Sequence, residues 1–248
     1  MDREQPHVIV AADADALAKM AAERVLARIN QAGGRPAICL TGGSSPERLY
    51  ELLATSPYRD AVAWHRVHCF WGDDRFVPQD DPRNNAGTAR RLLLDRVPIP
   101  SENIHAIPTS AGNVAEAAGL YEAELRRFYG AKALDPARPL FEMVLMGLGA
   151  DGHTASLFPG HAELREAERW VVGVQEAGLA PFLPRVTLTF PTLASTREML
   201  FLVSGRDKRE ILQRVLSGAD LPAARARSDG DAVWLVDREA LPEHRDVA

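Results

Sequence analysis

Short apolar runs alternate with amphipathic helical patterns along most of this chain. The strand-like runs are HVIVA, PAICL, VHCFW, ENIHAI, FEMVLM, RVTLTF, EMLFLV and AVWLV. The helical patterns cover Asp13–Gln31, Pro46–Leu53, Ala86–Leu94, Asn113–Tyr129 and Lys208–Leu216. This alternation predicts an α/β fold with a mainly parallel sheet and helices on both faces. The continuously apolar FEMVLM run is typical of a parallel strand that is covered on both faces.

The size and composition of the chain favour one globular domain over residues 1–248. Its residues are 46% hydrophobic and 25% charged, which is ordinary globular usage with enough apolar material for a sizeable core. The net charge of −5 argues against a nucleic-acid or membrane-surface partner. An anionic ligand would therefore need a local basic cluster. We expect a monomer.

The sequence predicts a cytoplasmic protein. The N-terminal MDREQPHVIVAADADAL lacks the charged and apolar regions of a signal peptide, and no run of about 18 apolar residues occurs. Cys39 and Cys69 each lie in an apolar run, which is typical of buried reduced thiols rather than of a disulfide framework.

Three loops that follow predicted strands combine glycine with polar residues. They are TGGSSP, WGDDRFVP and MGLGADGHTASLFPG. In open α/β sheets, ligands bind beyond the carboxyl ends of the strands. We therefore expect the three loops to converge on one crevice.

The TGGSSP loop lies between a predicted strand and a predicted helix. Gly42 and Gly43 allow the backbone to approach a ligand closely, and Ser44 and Ser45 supply hydroxyl groups. The N–H groups at the start of the helix would attract an anion such as a phosphate. The alternative is an ordinary helix start, with Ser45 as the N-cap and Pro46 as the first helical residue.

The GLGADGH segment matches the G-x-G-x-x-G dinucleotide pattern, but Pro159-Gly160 leaves no room for the long helix that a dinucleotide site needs. Asp151 and His153 suit acid–base chemistry, because imidazole accepts a proton near neutral pH and a carboxylate can orient it. The alternative is that Asp151 caps a short helix and His153 is a surface loop residue.

Charged residues follow two further strands. Asp73 and Arg75 could bind sugar hydroxyls and a phosphate or carboxylate, and Lys208 in VSGRDK suits a phosphate. The alternatives are a self-neutralising surface triad at Asp73–Arg75 and a solvated lysine. No metal-ligand spacing and no G-x-S-x-G nucleophile motif occurs. We expect neither a metal nor another cofactor.

Taken together, these motifs resemble the glucosamine-6-phosphate isomerase/6-phosphogluconolactonase family, on its lactonase side. The resemblance rests on LTGGSSPERLYELL, WGDDRFVP followed by NN, LMGLGADGHTASLFPG, PRVTLTFPTL and VSGRDK, in order from Val8 to Val236. It implies a Rossmann-like fold and hydrolysis of 6-phospho-D-glucono-1,5-lactone in the oxidative pentose phosphate pathway. It also implies His153 as the base supported by Asp151, and a substrate site that includes Gly42, Gly43, Ser44, Arg75, Arg185 and Lys208.

Two positions depart from the family pattern: Asp74 stands where the family usually has Glu, and Asn84 where it usually has Ser. Both changes keep polar character and leave the roles of these two residues open. Backbone N–H groups of the glycine-rich loops are candidates to stabilise an oxyanion. The competing functions are a glucosamine-6-phosphate deaminase or isomerase and a non-catalytic sugar-phosphate sensor.

Overall fold

The computed structural model describes residues 6–242, and a six-stranded parallel sheet forms their centre. Its strands, in chain order, are β1 (His7–Ala11), β2 (Ala37–Leu40), β3 (His68–Trp71), β5 (Met143–Met146), β8 (Glu198–Val203) and β9 (Asp231–Asp237). A smaller antiparallel sheet contains β4 (Asp73–Arg75), β6 (Val171–Val174) and β7 (Arg185–Leu188). The strand orders are β1-β9-β8-β5-β2-β3 and β4-β7-β6. The predicted α/β fold with a mainly parallel sheet is confirmed.

Eight α-helices connect these strands within the described part of the chain. They are α1 (Ala14–Gln31), α2 (Ser44–Leu53), α3 (Tyr58–Ala61), α4 (Asn85–Leu92), α5 (Val114–Tyr129), α6 (Phe190–Ala194), α7 (Arg209–Leu216) and α8 (Pro222–Arg225). The two longest helices begin at side-chain caps: Asp13 accepts from the N–H of Ala16, and Asn113 from the N–H of Glu116. Helix α5 ends at Gly130, whose φ of 76° is the left-handed conformation that glycine adopts without strain.

The central strands are covered on both faces. Every residue of β2, β5 and β8 is buried, and for β5 the continuously apolar FEMVLM run predicted this. Phe201 and Trp234, on the neighbouring strands β8 and β9, stack with ring centroids 3.8 Å apart. Burial of these large apolar side chains is the main stabilising contribution to the fold.

The sequence-based assignments were wrong in some places. ENIHAI is not a strand: Ser101–Asn103 forms a 3₁₀ turn, and Ile104 makes a single bridge to Cys69. RVTLTF contains a strand, but that strand lies in the small antiparallel sheet. Strands β4 and β6 were not predicted, because three polar residues and a four-residue run containing glycine carry little strand signal.

The strand order places a crevice between β2 and β5. From β2 the chain continues to β3 on one side, whereas from β5 it leads eventually to β8 on the other side. Such a reversal opens a gap above the carboxyl ends of the two strands, where ligands bind in open α/β sheets. The TGGSSP loop follows β2 and the GLGADGH loop follows β5, so both loops border this crevice.

Within residues 6–242, no helix is both long and apolar enough to cross a membrane. Cys39 and Cys69 are buried free thiols. Burial raises the pKa of both thiols, that of Cys69 to about 12, so they are inert neutral groups in the core.

Candidate active site

The loops after β2 and β5 lie side by side. A Cβ atom placed on Gly147 would lie 4.0 Å from the carbonyl oxygen of Gly42. The hydroxyl of Thr154 donates to the carbonyl of Gly147 at 2.9 Å, which ties the start of the GLGADGH loop to its end. The predicted convergence of these two loops is confirmed.

Gly43, not Ser45, is the N-cap of α2. Its φ of 113° favours glycine, and no side chain caps the helix. Ser44 and Ser45 lie in the first helical turn, with Ser44 exposed and Ser45 half-buried. The alternative of an ordinary Ser45 cap was therefore wrong. The start of α2, which lies in the TGGSSP loop, therefore has the positive end of its dipole and N–H groups without a side-chain cap.

The TGGSSP loop is held on both sides. The Tyr50 hydroxyl donates to the Thr41 carbonyl at 2.6 Å and accepts from the Thr41 N–H at 3.0 Å. Gly42 packs against Asn85: a Cβ atom at residue 42 would lie 2.0 Å from Asn85 Oδ1. Any larger residue at position 42 would therefore displace the Asn85 side chain.

Asp151 and His153 form a direct pair. Asp151 Oδ1 lies 2.5 Å from His153 Nδ1 and also accepts from the His153 backbone N–H at 3.0 Å. The side chains are 24% and 19% exposed, so solvent reaches the imidazole. Burial acts to raise the pKa of Asp151, but the hydrogen bonds from His153 and the electrostatic interaction with it lower that pKa overall. Asp151 therefore fixes the orientation of the imidazole through Nδ1, and the Nε2 atom is the one that can exchange a proton with a substrate or water.

The glycines of this loop make room for the imidazole and hold the loop backbone around it. The N–H of Gly149 donates to the His153 carbonyl at 2.9 Å, and a Cβ atom at residue 149 would lie 2.0 Å from His153 Nδ1. The N–H of Gly152 donates to the Gly149 carbonyl at 3.0 Å. These two amides are used within the loop, so they are not oxyanion donors. The HTASLF segment at the end of the loop is not helical; Thr154 and Leu157 form an isolated bridge instead.

Strand β4 directs its two carboxylates in opposite directions. Successive residues of a strand face opposite sides, so Asp73 and Arg75 share one face and Asp74 occupies the other. Asp73 accepts from the Ser156 hydroxyl at 2.6 Å, which joins the WGDDRFVP loop to the GLGADGHTAS loop. Both aspartates are buried. The interpretation of this segment as a self-neutralising surface triad was wrong.

Arg75 and Arg185 are cross-strand partners. They lie directly opposite each other where β4 pairs with β7, so their side chains share a face. The buried Nε atom of each guanidinium has no hydrogen-bond partner among the described residues. Burial is the main cause that lowers the pKa of Arg185, and the nearby charge of Arg75 adds to it. Two opposed guanidinium groups with unused donors fit an anion between them.

Arg185 is also connected to His153 through Phe158. The Phe158 ring is fully buried, with its centroid 4.6 Å from that of His153 and 5.7 Å from Arg185 Cζ. One aromatic side chain thus packs between the base candidate and a cation of the candidate site.

The Asp74 carboxylate accepts three backbone N–H groups. Oδ1 accepts from Arg75 and Asn85, each at 2.7 Å, and Oδ2 accepts from Ala86 at 3.0 Å. Burial, with a smaller effect of the Asp73 charge, raises the pKa of Asp74 to about 7, against the hydrogen bonds that lower it. Asn84 is the N-cap of α4 and accepts from the Gly87 N–H at 2.7 Å. Both residues at which the sequence departs from the family pattern therefore hold the start of α4.

A cavity of about 220 Å³ lies between the TGGSSP loop and the segment from Arg75 to Thr88. The sequence motifs predict Gly42, Gly43 and Arg75 as site residues. Several other lining residues were not predicted as site residues, although some lie within the quoted motifs: Glu47, Tyr50, Pro82, Arg83, Asn85 and Thr88. The Arg75 guanidinium donates to the Arg83 carbonyl at 2.7 Å. The cavity thus combines cationic, amide and hydroxyl groups with one carboxylate, that of Glu47.

Lys208 stands at the same edge of the sheet, after β8, which neighbours β5. Its Nζ atom lies 3.4 Å from Asp207 Oδ2, and its side chain is 26% exposed. The structure places it on the crevice side without seating it in the cavity beside Arg75. Over residues 6–242, no three His, Cys, Asp or Glu side chains are grouped so as to hold a metal ion.

Comparison with known proteins gives a consistent result. A family model described as glucosamine-6-phosphate isomerases/6-phosphogluconolactonase matches residues 12–234. The 6-phosphogluconolactonase of Streptomyces coelicolor is 39% identical over 97% of this chain and 95% of its own. That of Synechocystis is 38% identical over 95% and 97%. The crystal structure of the Thermotoga maritima 6-phosphogluconolactonase is 29% identical, with a TM-score of 0.81 over 94% of this chain and 100% of that one.

The fold and the site define an α/β enzyme in which an Asp–His pair and arginine side chains border a crevice at a strand-order reversal. The chain belongs to the glucosamine-6-phosphate isomerase/6-phosphogluconolactonase family. The resemblance inferred from the loop motifs is confirmed.

Proposed function

We propose that this chain hydrolyses 6-phospho-D-glucono-1,5-lactone to 6-phospho-D-gluconate, as a step of the oxidative pentose phosphate pathway. The names of its full-length relatives at 38–39% identity support this activity. The structural observation that carries the proposal is the Asp151–His153 pair, 2.5 Å apart, at the crevice bordered by the TGGSSP loop. A lactone is an ester, and a positioned imidazole beside an anion site suits its hydrolysis.

In this proposal the substrate phosphate is bound by cations and by the start of α2. The guanidinium groups of Arg75 and Arg185, which lie on the same face of the small sheet, would each donate hydrogen bonds to the phosphate. The uncapped N–H groups of Ser44 and Ser45, after Gly43, would add the positive end of the helix dipole. Lys208, at the adjacent strand end, would supply a further cation. Asp73, held by Ser156, would place a negative charge near Arg185 that favours its charged form.

The proposed chemistry places His153 as general base. Its Nε2 atom takes a proton from water while the water oxygen forms a bond to the lactone carbonyl carbon. The tetrahedral intermediate then collapses, the bond from this carbon to the ring oxygen breaks, and the imidazolium returns its proton to that oxygen. Asp151 holds the tautomer and stabilises the imidazolium when it forms. The water supplies one proton and one hydroxyl, so the step balances without a redox partner.

We further propose a cytoplasmic location and a monomeric state. Buried free thiols are typical of a reducing compartment. Among the described residues, the large apolar side chains that are most exposed are Leu120 and Phe182, at 52% and 64%, on separate segments. A permanent dimer would need a contiguous apolar patch. Light scattering should therefore give a mass near 27.1 kDa; a mass twice as large would reject the monomer.

The experiment that tests the activity uses freshly prepared lactone with the purified wild-type chain. Formation of 6-phosphogluconate would be followed through a coupled dehydrogenase, with a no-enzyme control for spontaneous hydrolysis. Glucosamine 6-phosphate would be assayed in parallel for ammonia release. We expect lactone hydrolysis far above the control and no ammonia. Ammonia release without lactone hydrolysis would favour a deaminase, and binding of both sugar phosphates without turnover would favour a sensor.

A further inference from the structure

A buried carboxylate that the proposed reaction does not use lies behind one wall of the cavity. Asp74 is fully buried and accepts backbone N–H groups from two separate segments. One of these is the end of β4, at Arg75, and the other is the start of α4, at Asn85 and Ala86. A single side chain thus joins two segments that contribute to the cavity.

The joined segments form the wall that faces the TGGSSP loop. Arg75 and Asn85 both line the cavity, and Asn85 also contacts Gly42 on the opposite wall. The Asn85 amide group donates to the Asp73 carbonyl at 3.0 Å, which depends on the same placement of α4. A shift of α4 relative to β4 would therefore change the separation of the two walls.

We infer that Asp74 is a positioning residue that sets the width of the cavity in which the substrate phosphate binds. The inference rests on the proposed function, which places the phosphate at Arg75 and at the start of α2; Arg75 and Gly43, the N-cap of α2, both line this cavity. Asp74 itself faces away from Arg75 and Arg185, so it acts through the backbone rather than by contact with substrate.

The chemistry of the side chain explains why a carboxylate stands here. In its ionised form it offers two acceptor oxygens and no donor to three N–H groups, two of which are the first amides of α4 and have no partner within the helix. Asparagine has one acceptor oxygen, so its NH₂ group would face the Ala86 N–H. Glutamate keeps both oxygens but adds a methylene group at a fully buried position, which would displace α4 outward.

The test compares Asp74→Asn and Asp74→Glu with the wild type. Each variant is assayed for kcat and KM with the lactone and titrated calorimetrically with inorganic phosphate and with 6-phosphogluconate. We expect Asp74→Asn to raise KM and both dissociation constants about tenfold, the effect of one lost charged hydrogen bond. The kcat should change less than about threefold, because His153 is not disturbed. Asp74→Glu should give smaller increases in the same quantities.

A matched control is Asn113→Ala. It removes the cap of α5, a backbone-accepting side chain of the same kind that does not line the cavity. We expect lower stability in urea for this variant with KM unchanged. Folded Asp74→Asn with wild-type KM and phosphate affinity would overturn the inference, as would an equal rise of KM in Asn113→Ala.

The two proposals fail separately. If Asp74→Asn does not fold, Asp74→Glu decides, and wild-type affinity for phosphate in that variant overturns the inference. If the wild type does not hydrolyse the lactone but its affinity for phosphate still depends on Asp74, the proposed function fails and the positioning role is supported.

Discussion

Arg75 and Arg185 lie directly opposite each other in the antiparallel ladder of β4 and β7, and the buried Nε atom of each has no hydrogen-bond partner among the described residues. Like charges at directly opposed positions destabilise a sheet. Such a pair is explained if an anion binds between the two side chains. We therefore propose that the pair is an anion site that is maintained at a cost in stability.

Replacing Arg185 should separate stability from binding. We expect Arg185→Met to weaken 6-phosphogluconate binding about tenfold or more, while its melting temperature stays equal to or above that of the wild type, because a buried and incompletely paired charge is removed. Calorimetric titration and a thermal melt measure the two quantities. The control is Arg138→Met, which removes an exposed guanidinium over Tyr129. A lower melting temperature with unchanged affinity would contradict this interpretation.

Gly149 should be required for activity because the imidazole occupies the space beside it. A Cβ atom there would lie 2.0 Å from His153 Nδ1, so Gly149→Ala must displace the ring. We expect kcat to fall about 10²-fold, as for a 1 Å misplacement of a catalytic group. Gly119→Ala is the matched control: Gly119 lies in α5, where an added Cβ atom would meet nothing within 4 Å, so stability should rise by about 0.5–1 kcal/mol. Equal kcat values in the two variants would refute the role of Gly149.

Asp151 should affect turnover more than binding. Asp151→Asn keeps the shape of the side chain but removes the charge that stabilises the imidazolium. We expect kcat to fall by about 10²–10⁴ with KM changed little. Steady-state kinetics on fresh lactone test this. A rise of KM with kcat retained would make Asp151 a substrate ligand instead.

A histidine pair outside the site should make the fold sensitive to acid. His68 Nδ1 lies 3.0 Å from His105 Nε2, and His105 Nδ1 lies 2.7 Å from Glu124. Burial, the charge of His105 and that of Arg35 lower the pKa of His68 to about 4. Burial also lowers the pKa of His105. The hydrogen bond and charge of Glu124 act to raise this pKa, and the charge of Arg127 acts to lower it further. The two histidines take up protons more readily in the unfolded chain, whose histidine pKa is about 6.5, than in the folded protein. The free energy of unfolding therefore has its full value above pH 6.5 and decreases as pH falls toward 4.

We expect His68→Gln to remove part of this pH dependence. The free energy of unfolding of the wild type should fall by on the order of 2 kcal/mol more than that of the variant between pH 7 and pH 4. Urea unfolding at both pH values measures it. His7→Gln, at an exposed position in β1, is the control and should follow the wild type. If the free energy of unfolding changed equally with pH in His68→Gln and the wild type, the His68–His105 pair would not control acid stability.

Local patterns sufficed for some parts of the site and not for others. The TGGSSP loop was predictable because a strand, a glycine turn and a helix start are contiguous in sequence. The Arg75–Arg185 pair was not, because it depends on an antiparallel ladder between distant segments. Asp74 was equally hidden: a carboxylate beside another aspartate and an arginine suggests a solvated surface, and only the position of α4 shows what it binds. Ser45 has the residue type of a cap, but Gly43 is the N-cap and the helix begins earlier, at Ser44. The φ of Gly43 that causes this cannot be predicted from the sequence.

The central claim is that His153 activates water against the lactone. The most direct measurement is the rate of 6-phosphogluconate formation by His153→Ala and His153→Gln, corrected for spontaneous hydrolysis, beside calorimetric binding of 6-phosphogluconate. We predict that kcat falls by about 10²–10⁴ while product affinity stays near that of the wild type. Near-normal turnover in either folded variant would contradict this role of His153.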